Sequence, residues 1–197
     1  MKRVVFSRIR VFASPRDPRL GWLCAGHVRV RCALGRSGPT RFKREGDGAT
    51  PVGAFPLFGI FHRPDKGPRP RTVLPTRPIA MRDGWCDAPR HRLYNRLVRL
   101  PFDASHEEMW RSDDMYDLVL DIGWNRGRGR ERPFAPQRGR PRAAPSPRKP
   151  LKGMGSAIFM HLARPGYSPT AGCVALDGAA LRRLVPRIGP RTRLVIG

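Results

Sequence analysis

Residues 157–176 read AIFMHLARPGYSPTAGCVAL, which is two short apolar runs joined by a loop rich in Pro and Gly. The runs, Ala157 to His161 and Cys173 to Leu176, have the length and apolar content of buried strands. A loop as short as 163–169 allows the two strands to pair. Pairing would place the imidazole of His161 beside the sulfur of Cys173, so this stretch predicts both a sheet and a candidate site.

The same strand pattern recurs along the chain. Each run is rich in β-branched and aromatic residues and is bounded by Gly, Pro or Asp. The further predicted strands are Val4 to Val11, Trp22 to Ala33, Val52 to Phe61, Asp117 to Ile122 and Arg193 to Ile196. This spacing is typical of an all-β domain.

Helices are expected to be few and short. Ser105 to Glu108 has the capping-box pattern and predicts a helical turn or two that continues through Arg111. A second helix is predicted after Asp177 as N-cap, and Pro186 is expected to end it.

The composition indicates one folded domain over 1–197. The chain has 197 residues, of which 40% are hydrophobic and 8% aromatic, enough to bury a sizeable core. No run approaches the roughly 18 apolar residues of a membrane span. Arg8 and Arg10 interrupt the N-terminus before the apolar core of a secretory signal can form, so no such signal is visible.

The net charge of +24 has two interpretations that both stay open. Arginine supplies 34 of the 39 basic residues and is scattered along the chain, as a GC-rich genome would produce. An anionic partner is the other interpretation, because a basic surface attracts polyanions.

Residues 126–152 carry ten Arg or Lys, one Glu and six Pro, which predicts a disordered basic insertion. The insertion is either a solvated loop or a tether to an anionic polymer such as an envelope glycan.

Three of the four cysteines are predicted to be small buried hydrophobes. Were 22–33 one strand, Cys24 and Cys32 would lie about 26 Å apart with His27 on the opposite face. A turn at Ala25 and Gly26 would change that geometry, but the chain has no C-x-x-C pair to complete a zinc site. We therefore expect no metal, and the same interpretation extends to Cys86.

Cys173 differs in its neighbours. A nearby His161 would take the thiol proton or hold the thiolate as an ion pair, and the thiolate is the nucleophilic form. Gly172 would let a substrate carbonyl approach the backbone, so the amides around Gly172 and Cys173 are candidates for an oxyanion hole.

These residues resemble the catalytic domain of the YkuD-type L,D-transpeptidases. The resemblance rests on Ile158 to His161, on the box Thr170 to Val174, and on the upstream Gly48 to Phe55 with its Thr-Pro-x-Gly-x-Phe pattern. Asp113 to Leu120 and the Trp124-Asn125 pair are similar to the strand before the active site in a compact bacterial branch. The resemblance extends from about Val30 to Ile196.

The resemblance implies a mainly β, sandwich-like fold and a peptidoglycan stem peptide as substrate. Cys173 would be the nucleophile that attacks the carbonyl next to diaminopimelate and releases D-alanine, and His161 would be the base. Gly172 and Thr170 would shape the oxyanion hole and the active-site loop. A backbone carbonyl would orient His161. No cofactor is implied.

Two departures bear on substrate recognition. Leu162 stands where many members have Gly, and Ala175 where many have Arg, a residue that binds carboxylates in a bidentate manner. Arg164 is the expected substitute, and Tyr167 in the same loop is a second predicted substrate contact.

Other classes lack their motifs. The sequence has no phosphate-binding loop and no dinucleotide fingerprint, and Ser156 is not in a serine-hydrolase elbow. Asp47 is predicted to lie in a turn, and no specific nucleic-acid binding is expected.

The alternatives to a transpeptidase are an L,D-carboxypeptidase, and a basic polyanion-binding module without catalysis. A monomer is expected. The resemblance implies the periplasm or cell envelope, and cytoplasmic action on precursors or recycled stems stays open.

Overall fold

The computed structural model describes residues 5–126 and 149–197. Its strands, in chain order, are β1 (Arg8–Ala13), β2 (Leu20–Ala25), β3 (Val28–Ala33), β4 (Pro39–Thr40), β5 (Thr50–Pro51), β6 (Gly53–Pro56), β7 (Gly59–His62), β8 (Thr76–Pro78), β9 (Asp83–Cys86), β10 (Arg96–Arg99), β11 (His106–Glu108), β12 (Leu118–Asp121), β13 (Phe159–Leu162), β14 (Val174–Leu176) and β15 (Arg193–Ile196). Within these ranges the α-helix is α1 (Gly178–Leu184), and 3-10 turns occur at Asp114–Tyr116, Pro165–Tyr167 and Val185–Arg187.

Ten of the strands form one curled mixed sheet, in the order β6-β15-β1-β2-β3-β14-β13-β12-β7-β8. Strands β9, β10 and β11 form a small separate sheet, and β4 pairs with β5. The mainly β fold with few short helices is confirmed. Most of the basic insertion predicted at 126–152 lies outside the described residues.

One face of the large sheet carries the main hydrophobic core. Alternate residues of β1, Ile9 and Val11, are fully buried there while their neighbours are exposed, as expected of a strand with one solvated face. Leu181 of α1 packs into this core. The helix begins where predicted, because the Asp177 carboxylate accepts a hydrogen bond from Ala180 N at 2.9 Å.

The small sheet covers part of the opposite face. Trp85 of β9 is fully buried and meets Phe159 of β13 edge to face, with ring centroids 4.8 Å apart. Phe61 of β7 meets the same indole at 5.9 Å. This second core also includes Cys173, so the small sheet forms the floor under the candidate site.

The helix predicted from Ser105 is wrong. His106–Glu108 is strand β11, which pairs with β9 in the register His106 to Cys86 and Glu107 to Trp85. A helix of one or two turns has little stability of its own, and pairing with the strand that carries Trp85 outweighs the local capping pattern.

The region 22–33 is a hairpin and not one strand, so the turn alternative is the correct one. Strands β2 and β3 are antiparallel, and the turn contains Gly26 at a φ of +58°. Cys24 and Cys32 are free thiols. Cys32 and Cys86 are fully buried as predicted, whereas Cys24 is only partly buried.

The predicted strand at 52–61 is divided into β6 and β7, with Leu57 and Phe58 between them. Among the described residues, no helix has the length and apolar character needed to span a membrane.

Candidate active site

The candidate site lies where β13 and β14 run side by side. The two strands are parallel, and His161 is in register with Ala175, two positions after Cys173. His161 and Cys173 line one cavity of about 330 Å³. The predicted pairing of the two apolar runs is therefore confirmed, and it brings both side chains to the same cavity.

The sulfur of Cys173 is held by the backbone of the segment that leads into β13. Its thiol donates to the carbonyl oxygen of Ala157 at 3.2 Å, and the amide of Phe159 donates to the sulfur at 3.3 Å. Burial, reinforced by the nearby charge of Glu107, raises the pKa of the Cys173 thiol to about 12. The folded protein therefore holds a protonated thiol at neutral pH.

His161 is oriented by a backbone carbonyl. Its Nδ1 lies 2.8 Å from the carbonyl oxygen of Leu162. A carbonyl only accepts, so Nδ1 carries the proton and Nε2 has the free lone pair. Burial lowers the pKa of His161 to about 4. The imidazole is neutral at pH 7 and has the protonation state of a general base.

Because the Cys173 thiol and the His161 imidazole are both neutral, the site favours direct proton transfer from the thiol to the imidazole over a preformed thiolate–imidazolium ion pair. Among the described residues, the hydrogen bonds of Cys173 and His161 go to backbone groups and do not join the two side chains. The thiol must therefore turn away from Ala157 before Nε2 can accept its proton.

The loop before Cys173 is tied to the backbone through Thr170. The Thr170 hydroxyl donates to the carbonyl of Cys173 at 2.7 Å and accepts from the amide of Gly172 at 3.0 Å. The Gly172 amide is therefore already used. Within the predicted oxyanion hole, this moves the candidate donor from Gly172 to the amide of Cys173.

Gly172 is required by the protein's own packing. Its φ is +138°, and a Cβ there would lie 2.7 Å from the carbonyl oxygen of Ala49 and 2.8 Å from Ile158 Cδ1. The upstream Thr-Pro turn thus lies directly against the cysteine box. The hydroxyl of Thr50 in the same turn accepts from Gly35 N at 2.8 Å, which ties the turn to the segment that follows β3.

The two predicted substrate contacts have different positions. Arg164 lines the cavity, is exposed, and lies 3.3 Å from the Asp113 carboxylate. Tyr167 does not line it. Its ring lies under the guanidinium of Arg31 at 5.1 Å and borders a separate groove beside α1.

Sequence reasoning missed one wall of the cavity. The hydroxyl of Tyr116 donates to Glu107 at 2.7 Å, and its ring lies 5.4 Å from the ring of His161. Burial raises the pKa of Glu107.

Arg111, on the same wall, makes a bidentate ion pair with Asp113, at 2.8 and 2.9 Å. These hydrogen bonds lower the pKa of Asp113 to about 2. The assignment of 105–108 to a helix concealed this wall.

The opposite wall is a turn closed by polar side chains. Lys43 donates to the Asp47 carboxylate at 2.6 Å, and Ala49 N donates to the same oxygen at 2.8 Å. The turn predicted at Asp47 is confirmed. Glu45 accepts from the hydroxyls of Ser156, at 2.7 Å, and Tyr94. These contacts fix the loop that faces Cys173.

A comparison with protein families identifies the family to which the chain belongs. The model of the YkuD family, the L,D-transpeptidase catalytic domain, matches residues 8–196, and the protein belongs to this family. Comparisons with curated proteins and with solved structures give no match.

Proposed function

We propose that this protein is a cysteine-dependent L,D-transpeptidase that acts on peptidoglycan stem peptides through an acyl-enzyme. The observation that carries the proposal is the shared cavity of Cys173 and a neutral His161 whose Nδ1 is fixed by the carbonyl of Leu162. Family membership supports the reaction class.

The first half-reaction forms a thioester. As the substrate enters, Nε2 of His161 takes the thiol proton while the sulfur of Cys173 attacks the carbonyl carbon of diaminopimelate. In this proposal the amide of Cys173 donates to the developing oxyanion. The bond to D-alanine breaks, and His161 returns the proton to the departing amine.

The second half-reaction decides between transfer and hydrolysis. An amine of another stem attacks the thioester, its proton passes to His161, and the sulfur leaves and is protonated again. Water in place of that amine would make the protein an L,D-carboxypeptidase. Both outcomes use the same nucleophile and base, and the periplasm or cell envelope is the proposed location of either.

Arg164 is the proposed carboxylate contact of the donor stem. Ala175 stands where many members of the family have an arginine, so this position supplies no positive charge. Arg164 lines the same cavity and is exposed. Its bond to Asp113 is long at 3.3 Å, and Asp113 keeps its bidentate partner Arg111 if Arg164 turns toward a substrate.

The test is D-alanine release from a disaccharide-tetrapeptide, followed by separation of the muropeptide products. Cys173→Ala is expected to abolish release, while Cys24→Ala, a free thiol outside the cavity, retains it. Cross-linked dimers would identify transfer, and tripeptides alone would identify hydrolysis. Unchanged release by Cys173→Ala would refute the proposal.

A further inference from the structure

One half of the sheet face that carries the candidate site is open and strongly basic. The registers of the neighbouring strands show which residues lie on this face. His161 of β13 is in register with Ala175 of β14, which is in register with Ala33 of β3. Directly paired residues point to the same side of a sheet. Ala33 therefore lies on the same face as His161, two strands or about 10 Å away.

The next rows of that face are formed by arginine and aromatic side chains. Arg31, two residues before Ala33, is in register with Trp22, which is in register with Phe12. The row after that runs from Arg29 through Cys24 to Arg10.

A last row pairs Arg8 with Arg193. We call this surface the basic sheet face: the five arginines Arg8, Arg10, Arg29, Arg31 and Arg193, together with Phe12 and Trp22.

In the part of the chain that the structure describes, the arginines of the basic sheet face have no acidic partners. No Asp or Glu occurs in β1, β2, β3 or β15. Among the described residues, none of the five arginines makes a salt bridge, whereas Arg19, Arg63 and Arg111 each pair with a nearby aspartate. Like charges opposite each other on neighbouring strands are destabilising, so the Arg8 and Arg193 pair is expected to cost stability, and the described residues offer it no acidic partner.

The aromatic residues lie at the centre of this charge. Trp22 is 38% exposed and Phe12 is 44% exposed, and the guanidinium of Arg29 lies 4.2 Å from the centre of the Trp22 ring. A flat apolar platform within guanidinium groups suits a polymer that has both sugar rings and carboxylates. Guanidinium is the side-chain cation best matched to a carboxylate.

We infer that the basic sheet face is a docking surface for the peptidoglycan polymer, holding glycan and stem carboxylates beside the candidate active site. The inference rests on the proposed function for the identity of the polymer. Charge complementarity and the continuity of this face with the row of His161 favour that occupant. Binding here involves the sheet itself and is separate from any role of 126–152.

The test is co-sedimentation of the full chain with purified diaminopimelate-type sacculi at about 0.05 M and about 0.3 M salt. All variants carry Cys173→Ala, so that attachment is measured without turnover. The test variant combines Arg8→Gln, Arg10→Gln and Arg29→Gln. The matched control combines Arg71→Gln, Arg82→Gln and Arg90→Gln, which removes the same charge from exposed arginines elsewhere.

We expect the test variant to bind sacculi about tenfold more weakly at low salt and the control to stay within about twofold of the parent. Equal weakening of both variants, or no weakening of the test variant, would overturn the inference. So would a test variant that keeps its sacculus binding but loses binding to duplex DNA. Should the triple variant unfold, Arg10→Gln against Arg82→Gln gives the same comparison with an expected difference of about twofold.

Sacculus binding and D-alanine release together distinguish a failure of the docking surface from a failure of the proposed function. A protein that never releases D-alanine yet binds sacculi through these arginines would refute the proposed function alone. A protein that releases D-alanine and whose two triple variants bind equally would refute the docking surface alone.

Discussion

The thiol of Cys173 donates to the carbonyl oxygen of Ala157 at 3.2 Å. The proposed nucleophile is thus held in the second core by a backbone group that is itself fixed. Ala157 has a φ of +51°, and its amide donates to the side-chain oxygen of Asn95 at 3.1 Å. The position of the sulfur therefore depends on a buried amide side chain that lies outside the two sequence boxes.

Asn95→Gly is expected to lower both stability and activity. The substitution keeps the φ of +55° but leaves the indole of Trp85 and the amide of Ala157 without their acceptor. Each buried unsatisfied group costs about 1–3 kcal/mol. Urea unfolding and D-alanine release measure the two effects.

Asn125→Gly is the matched control for that substitution. Asn125 also has a positive φ, of +49°, and its side chain binds Leu151 and Gly155, not Ala157. It should lose stability but keep its turnover once folded. Equal losses of turnover in both variants would show that Asn95 has only a general structural role.

Gly172→Ala should destabilise the protein more than Gly67→Ala. Both glycines have similar backbone angles, with φ of +138° and +153°, but a Cβ at Gly67 meets nothing within 4 Å. The difference isolates the clash with Ala49 and Ile158, which we expect to cost about 1–3 kcal/mol beyond the backbone strain. Equal unfolding midpoints for the two variants would contradict the packing described for the cysteine box.

Stability should rise with pH between about 4 and 6.5 because of His161. Burial lowers the pKa of this residue from 6.5 to about 4 in the folded protein, so in this window the unfolded chain binds a proton that the folded protein does not. The shift corresponds to about 3 kcal/mol, fully present above pH 6.5 and lost as the pH falls to about 4. The wild type should show this part of the slope in urea unfolding across pH, and His161→Gln should lack it. Parallel pH profiles of the two proteins would contradict a buried neutral imidazole.

Alkylation should report the protonation state of Cys173. Because its pKa is raised to about 12 and the thiolate is the reactive form, iodoacetamide should label Cys173 in the folded protein much more slowly at pH 7 than in the urea-unfolded chain. Peptide mapping by mass spectrometry distinguishes it from Cys24, Cys32 and Cys86. Rapid labelling at pH 6 would instead indicate a thiolate held by imidazolium.

The sequence boxes predicted the strands β13 and β14 and the residues on them because both depend on local pattern. Apolar runs mark buried strands, and the short loop restricts how they pair. The parts that sequence reasoning missed depend on contacts between distant segments. Glu107 reaches the cavity only because β11 pairs with β9, and Asn95 supports Ala157 across 62 positions of the chain. No local periodicity contains either relationship.

The net charge is a second feature whose meaning depends on contacts between distant segments. Composition left both genomic bias and an anionic partner open, because the sequence does not show which arginines share a face. The strand registers align Arg31, Trp22 and Phe12 across three strands, which turns a compositional feature into a surface that can be tested.

The proposal that Cys173 is the nucleophile is tested most directly by the intact mass of the protein after exposure to a carbapenem, an inhibitor class that the family resemblance implies should acylate the cysteine. We expect a covalent adduct on the peptide that contains Cys173, present in Cys24→Ala and missing from Cys173→Ala. An adduct that persists in Cys173→Ala, or D-alanine release by that variant, would contradict the assignment of Cys173 as the nucleophile.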